Sequence, residues 1–227
     1  GLAILNDNEI FIGSAVVDMG ARTTSLNLFS NNNLIFSESL AFGGHDITEQ
    51  IARQFSISFK EAERLKIMHA SVLENPDEIE MGMEIPSINF DNKDDYIKVT
   101  KGEIYDVVKP IIIQILNWIS DTLKKSGKSN LVSKVLVFTG GASQIDGLTV
   151  LARDILNVNA RVGTPKDLKI NFQNSIDASY SVSAGLIKHN FENYKANFVD
   201  NISLQNEIGK SNTQFSIKNW FGQNFFN

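Results

Sequence analysis

Val135-Leu136-Val137-Phe138-Thr139-Gly140-Gly141-Ala142-Ser143 opens as an unbroken apolar run and stops on two glycines. A run without polar alternation suits a strand covered on both faces, and such strands belong to parallel sheets flanked by helices. The glycines end it sharply, and Leu148, Leu151, Ile155 and Leu156 then recur at helical spacing. A small backbone at Gly140, Gly141 and Ala142 lets a flat or anionic ligand lie against the chain where the helix begins. The same pattern also makes a plain strand-to-helix turn, and a glycine pair does not separate the two.

Upstream, residues 11–18 are β-rich and end on Asp18, with strand-like stretches at 24–30 and 33–42 separated by Gly20 and Asn31-Asn32-Asn33. This predicts a β-meander. After Gly43-Gly44 the period turns helical, with Ile47, Ile51 and Phe55 on one face, and Ser58 with Glu61 marks the start of a second helix. Alternation over 79–85 predicts a hairpin strand. Thr100 and Glu103 predict the cap of a long helix whose apolar stripe runs from Ile104 to Leu123, kinked at Pro110. Residues 160–163 read as a short strand and 178–190 as a small-residue helix; no internal repeat is visible.

Composition bounds the function. With 227 residues, 42% of them hydrophobic, the chain can bury a sizeable core with an elaborating subdomain. A net charge of −5 argues against a nucleic-acid surface, which needs concentrated Lys and Arg. The absence of Cys removes disulfides and thiolate zinc sites. His45, His69 and His189 lack metal-ligand spacing, and are expected to be satisfied or exposed. No apolar run approaches the ~20 residues that span a bilayer, so any membrane contact is expected to be peripheral.

Two further segments carry candidate chemistry. In Asp18-Met19-Gly20-Ala21-Arg22-Thr23-Thr24, Gly20 would let backbone N–H groups approach an anion, hydroxyls would add donors and Asp18 could hold a magnesium-bound water. An ordinary β-turn reads the same way. Glu63 and Lys66 stand three apart on one helical face, which also describes a solvated ion pair.

The order of these units resembles the second half of the actin, chaperone ATPase and sugar-kinase superfamily, and within it the FtsA cell-division family. The resemblance rests on Val16-Val17-Asp18-Met19-Gly20-Ala21-Arg22-Thr23-Thr24, Phe42-Gly43-Gly44-His45-Asp46-Ile47-Thr48, Ala62-Glu63-Arg64-Leu65-Lys66 and the Thr139–Leu148 segment. Pro110, Arg161-Val162-Gly163-Thr164-Pro165 and the Tyr180–Leu186 segment are similar too. It implies an α/β chain: an actin-like (ribonuclease-H-like) ATPase half with an inserted α+β subdomain and a C-terminal amphipathic helix. Residues 1–42 and 131–192 would form the lower subdomain and 43–130 the inserted upper one. Residues 193–211 would be a flexible linker and 212–227 the membrane-targeting helix.

By the same resemblance ATP and Mg2+ are the expected cofactors. Asp18 (through water to the metal), Gly20, Thr23 and Thr24 would sit at the second phosphate loop. Glu63 and Lys66 would approach ribose and adenine, and Gly140, Gly141 and Ala142 would line the base and sugar. No catalytic residue is assigned, and at most a weak ATPase is expected once joined to a half expected upstream of Gly1. The family usually carries a triple-glycine loop followed by two Thr and an Asp, whereas Ala21, Arg22 and Ser25 stand here. Ala and Arg restrict backbone angles that glycine leaves open, and Arg22 adds positive charge. Implied partners are the C-terminal tail of FtsZ, held within about 43–130, a second copy in an actin-like filament, and inner-membrane lipids at the division site on the cytoplasmic face. No nucleic-acid partner is expected.

From about 193 to 211 the chain is polar and Asn-rich. Ile217, Trp220, Phe221 and Phe225 then share one helical face with Phe226 beside them, as in a helix lying in a bilayer interface or one docked on a core. A shape or pilus-assembly actin, or half of a sugar kinase, are the other readings.

Overall fold

The structure, a computed structural model, describes residues 1–87, 96–131, 135–166 and 177–191. Its first helix, α1 (Asp7–Ile12), replaces the start of the strand expected from residue 11. Asn6 and Glu9 close a reciprocal cap: Asn6 Oδ1 accepts from the Glu9 N–H (2.8 Å) and Glu9 Oε2 from the Asn6 N–H (2.9 Å). Two satisfied end donors outweigh the β preference of Ile10, Phe11 and Ile12. Gly13 ends the helix at φ 110°.

The meander follows as β1 (Ser14–Met19), β2 (Thr24–Ser30) and β3 (Asn33–Leu40), antiparallel throughout. Next come α2 (Gly44–Phe55) and α3 (Phe59–His69). At α3, Ser58 Oγ accepts from the Glu61 N–H (3.2 Å), but the Glu61 carboxylate pairs with Arg64 (2.8 Å), so the expected capping box forms only by half. The hairpin expected near 79–85 is β4 (Gly82–Pro86) against β5 (Tyr96–Thr100). The long helix α4 (Lys101–Lys125) starts on the full Thr100–Glu103 box and continues through Pro110. A proline inside a helix costs ~3 kcal/mol. Each buried aliphatic side chain contributes ~1.5–3 kcal/mol, so the flanking Val108, Ile111, Ile112 and Ile115 together outweigh it. β6 (Val135–Thr139), α5 (Leu148–Leu156), β7 (Asn159–Val162) and a helix α6 (181–191) complete the described chain.

The five-stranded sheet runs in the order β3-β2-β1-β6-β7, with β1, β6 and β7 parallel. Val17, Met19, Leu136 and Phe138 face one core together with the α4 stripe and Ile47, Ile51 and Leu65. Val16 and Val137 face a second, with Ala3, Ile4, Leu5 and Ala184. This is why the 135–138 run carries no polar alternation: both faces of β6 are covered. The chain leaves β1 toward β2 and leaves β6 toward β7, in opposite directions along the sheet. The C-terminal ends of this parallel pair therefore form a topological switch point, the place at which open α/β sheets bind their ligands.

Residues Gly1–Leu186 form one compact unit; a second runs from Ile187 to Asn227, of which 187–191 are described and helical. The linker and the aromatic tail lie outside the described residues. Among those described, no helix is long and apolar enough to cross a membrane.

Candidate functional site

At the switch point four chain segments meet at one glycine, and this candidate cleft is built from them. A methyl group placed on Gly44 would stand 3.1 Å from Ala142 Cβ, 3.4 Å from Lys66 Nζ and 3.6 Å from the Gly20 carbonyl oxygen. The turn after β1, the start of α2, the side of α3 and the turn after β6 thus converge. Of the residues singled out from sequence, Gly20, Lys66 and Ala142 lie together here.

Asp18 and Gly140 form the floor. Asp18 pairs across the parallel ladder with Thr139, so the next residue, Gly140, passes directly over its carboxylate. A Cβ on Gly140 would meet Asp18 Oδ1 at 2.4 Å and the Met19 carbonyl oxygen at 2.5 Å, and its backbone has φ 85°, ψ 164°. That combination requires glycine. Burial pushes the Asp18 carboxyl above its ordinary range. Gly141, by contrast, is exposed, and a Cβ there would touch only Ser179 Cβ, at 3.8 Å. Its open backbone leaves room for a flat group.

On the turn, Ala21, Arg22 and Thr23 are exposed, while Thr24 is buried and donates to the Phe42 carbonyl oxygen (2.9 Å). The Thr24 hydroxyl proton is therefore spent on structure. Neither Ala21 nor Arg22 lies in the left-handed region, and neither does Gly20. This turn closes through the Gly20 N–H to the Thr23 carbonyl (2.9 Å) without the angles only glycine provides.

Glu63 and Lys66 do pair, Oε2 to Nζ at 2.8 Å, but as members of a larger network. Lys66 Nζ also donates to the Gly44 carbonyl oxygen (2.9 Å) and to Thr48 Oγ1 (2.8 Å), and the Thr48 hydroxyl donates to Glu63 Oε2. Burial pushes the Glu63 carboxyl up, but the bonds from Lys66 and Thr48 and nearby positive charge outweigh it and hold it below its ordinary value. Gly43, Gly44 and Thr48 belong to the site although the sequence reading gave them no role beyond the helix start. The doubled glycine was the signal: a Cβ on Gly43 would stand 2.6 Å from the Gly20 carbonyl oxygen.

Outside this cleft, α2 and α4 border a groove of about 550 Å³ lined by Phe42, Gln50, Gln54, Asp106, Pro110 and Gln114 among others. His69 departs from expectation: its Nδ1 is buried without a hydrogen-bond partner among the described residues. No group of three or more metal-ligating side chains occurs among them. One carboxylate acting through water needs no such group.

The sequence model of the family described as cell division protein FtsA matches residues 15–185. The FtsA of Agrobacterium fabrum is 42% identical over 166 residues, which is 73% of this chain and 37% of that protein. The FtsA of Bacillus subtilis is 31% identical over 191 residues, 83% of this chain and 41% of that one. The chain thus spans well under half the length of these relatives. Among solved structures, MreB5 of Spiroplasma citri bound to ADP superposes with a TM-score of 0.61 at 20% identity, covering 83% of this chain and 58% of its own. A chain of a PilM–PilN type IV pilus biogenesis complex gives 0.57 at 24% identity, covering 79% of this chain and 46% of that one. At these identities the likeness shows the fold, which is actin-like.

Proposed function

This chain belongs to the FtsA family of cell-division proteins, and from that premise we propose that it is part of an adaptor that binds ATP, self-assembles and ties FtsZ filaments to the inner membrane. Membership decides against the kinase, shape-protein and pilus readings that the sequence left open. The observation that carries the nucleotide part is the convergence of Gly20, Gly44, Lys66 and Ala142 at the switch point of the sheet. A phosphate chain fits the exposed turn at 21–23, and a base and sugar fit the open backbone of Gly141 beside α3. The structure of MreB5 bound to ADP supports a nucleotide on this fold. Asp18 would hold a water of the Mg2+ ion, whose charge would offset that of the phosphates.

Residues 43–130 form, on this reading, the inserted subdomain that receives the FtsZ tail. The α2–α4 groove is the surface we assign to that peptide, with Phe42, Val107, Pro110 and Ile111 as apolar lining and Gln50, Gln54, Gln114, Glu103 and Asp106 as its polar lining. Residues 212–227 would anchor the assembly to lipid.

The test of the nucleotide site uses the whole protein that carries this chain. Gly141→Val puts a side chain into open space, so the melting temperature should stay unchanged while ATP affinity falls by about tenfold or more, ~1.4 kcal/mol. Unchanged ATP binding would place the nucleotide elsewhere.

A further inference from the structure

The turn between β1 and β2 has its acceptors engaged by the fold and two of its donors open. The Gly20 carbonyl accepts from the Gly44 N–H (2.9 Å), the Ala21 carbonyl from the His45 N–H (2.6 Å) and the Thr23 carbonyl from the Gly20 N–H (2.9 Å). In a trans peptide unit the C=O and the N–H point in opposite directions, and no cis bond occurs among the described residues. Two carbonyls aimed at the start of α2 therefore turn the N–H groups of Ala21 and Arg22 away from it. Neither N–H has a hydrogen-bond acceptor among the described residues, and both residues are exposed. Adjacent outward donors of this kind suit an anion.

Arg22 adds a full charge to these donors. Of the five arginines in the chain, Arg53, Arg64 and Arg161 pair with Glu49, Glu61 and Glu9, and Arg153 donates to the Ala160 carbonyl (2.6 Å). Among the described residues, Arg22 alone has neither an ion pair nor a hydrogen bond. Its guanidinium therefore contributes nothing to holding the turn, and its full donor fork is open to a ligand.

Position along the turn decides which part of a ligand it meets. Gly20 lies at the meeting point with Gly44 and Ala142, on the side assigned to base and sugar. Ala21 and Arg22 are the two central residues of the turn that the Gly20–Thr23 bond closes. A phosphate chain laid along the turn runs from Gly20 towards Arg22, and the long Arg22 side chain reaches past the backbone donors to its far end. A planar guanidinium can donate to two oxygens of one phosphate at once.

We propose that Arg22 is a specificity-determining residue: its guanidinium takes the terminal phosphate of a nucleoside triphosphate, so that this turn separates triphosphate from diphosphate. The proposal rests on the nucleotide reading above. The greater negative charge of the triphosphate works in the same direction.

The experiment measures affinity for ATP, ADP and AMP with Mg2+ in the whole protein that carries this chain, as wild type, Arg22→Gln and Arg22→Lys. Because Arg22 is exposed and has no partner among the described residues, both variants should keep the parent melting temperature. Arg22→Gln should weaken ATP by about tenfold, the scale of a hydrogen bond to a charged group, weaken ADP by less and leave AMP unchanged. Arg22→Lys keeps the charge without the fork and should lie between wild type and Arg22→Gln for ATP. Equal loss for all three nucleotides would overturn the proposal, because Arg22 would then shape the turn without selecting the terminal phosphate. If wild-type protein binds ATP, Gly141→Val weakens that binding and Arg22→Gln leaves the ATP to ADP ratio unchanged, the nucleotide reading stands and this proposal alone fails. Wild-type protein that binds no nucleotide would remove both.

Discussion

Asp18 shows what one residue at the switch point costs the fold. Burial at the end of β1, under the backbone of Gly140, disfavours its charged form and raises its pKa above the ordinary aspartate value of 3.8. The folded chain therefore binds a proton there more readily than the unfolded chain does. Stability is highest below the ordinary value, falls as pH rises through the window up to the folded value, and is flat above it. Asp18→Asn keeps the shape and removes the charge, so the variant should have a higher urea midpoint than the parent at pH 7, with the gap closing towards pH 4. Equal gaps at both pH values would mean that the carboxylate ionises at no cost. A group kept charged against the interest of stability is characteristic of a binding site. The Asp18-x-Gly20 pattern was legible in the sequence, but its proximity to Gly140 was not, because Asp18 and Gly140 stand 122 positions apart along the chain and only the parallel ladder joins them.

At the scale of elements, α1 is the one the sequence reading mistook. Ile10-Phe11-Ile12 has strand character, and Phe11 and Ile12 stay exposed in the helix, so hydrophobic periodicity gave no warning. The helix is decided by its cap and by a distant arginine. Arg161, on β7, donates from Nε and Nη2 to the Glu9 carboxylate (3.1 and 2.8 Å to Oε1) and from Nη2 to the Ile4 carbonyl (3.1 Å). Burial pushes the Glu9 carboxyl up, but the Asn6 N–H and Arg161 outweigh it and hold it below its ordinary value. Arg161→Ala leaves that carboxylate without its cation and should cost about 2 kcal/mol, the scale of charged hydrogen bonds in partly buried settings. Chemical denaturation measures this directly. A loss under about 0.5 kcal/mol would make the pair an ordinary surface contact. The start and apolar stripe of α4 are as the sequence predicts, since a full capping box and a long apolar stripe are both local signals.

For the whole molecule, the proposed attachment to lipid would rest on residues 212–227. Burying Ile217, Trp220, Phe221 and Phe225 contributes at best ~1.5–3 kcal/mol per side chain, while ordering a free tail costs ~1 kcal/mol or more per residue. Gly222 lowers helix stability by a further ~1 kcal/mol relative to Ala. A single copy should bind weakly and a filament presenting many tails firmly. Protein carrying the tail should co-sediment with phospholipid vesicles, with a blue shift of Trp220 emission, and Trp220→Glu with Phe221→Glu should abolish both without lowering the melting temperature. If the double substitution unfolds the protein instead, the tail belongs to the core. The sequence by itself determined the meander, the doubly covered strand β6, the Ser58 half of the α3 cap, the full cap of α4 and the family, because strand period, glycine turns and N-caps are interactions among residues a few positions apart. Only the tertiary structure decided that Arg161 holds the Glu9 carboxylate of α1, that Gly44 is the meeting point of the cleft, and that Lys66 donates to Gly44 and Thr48. Those facts depend on contacts between residues 18 to 152 positions apart, which no local pattern encodes.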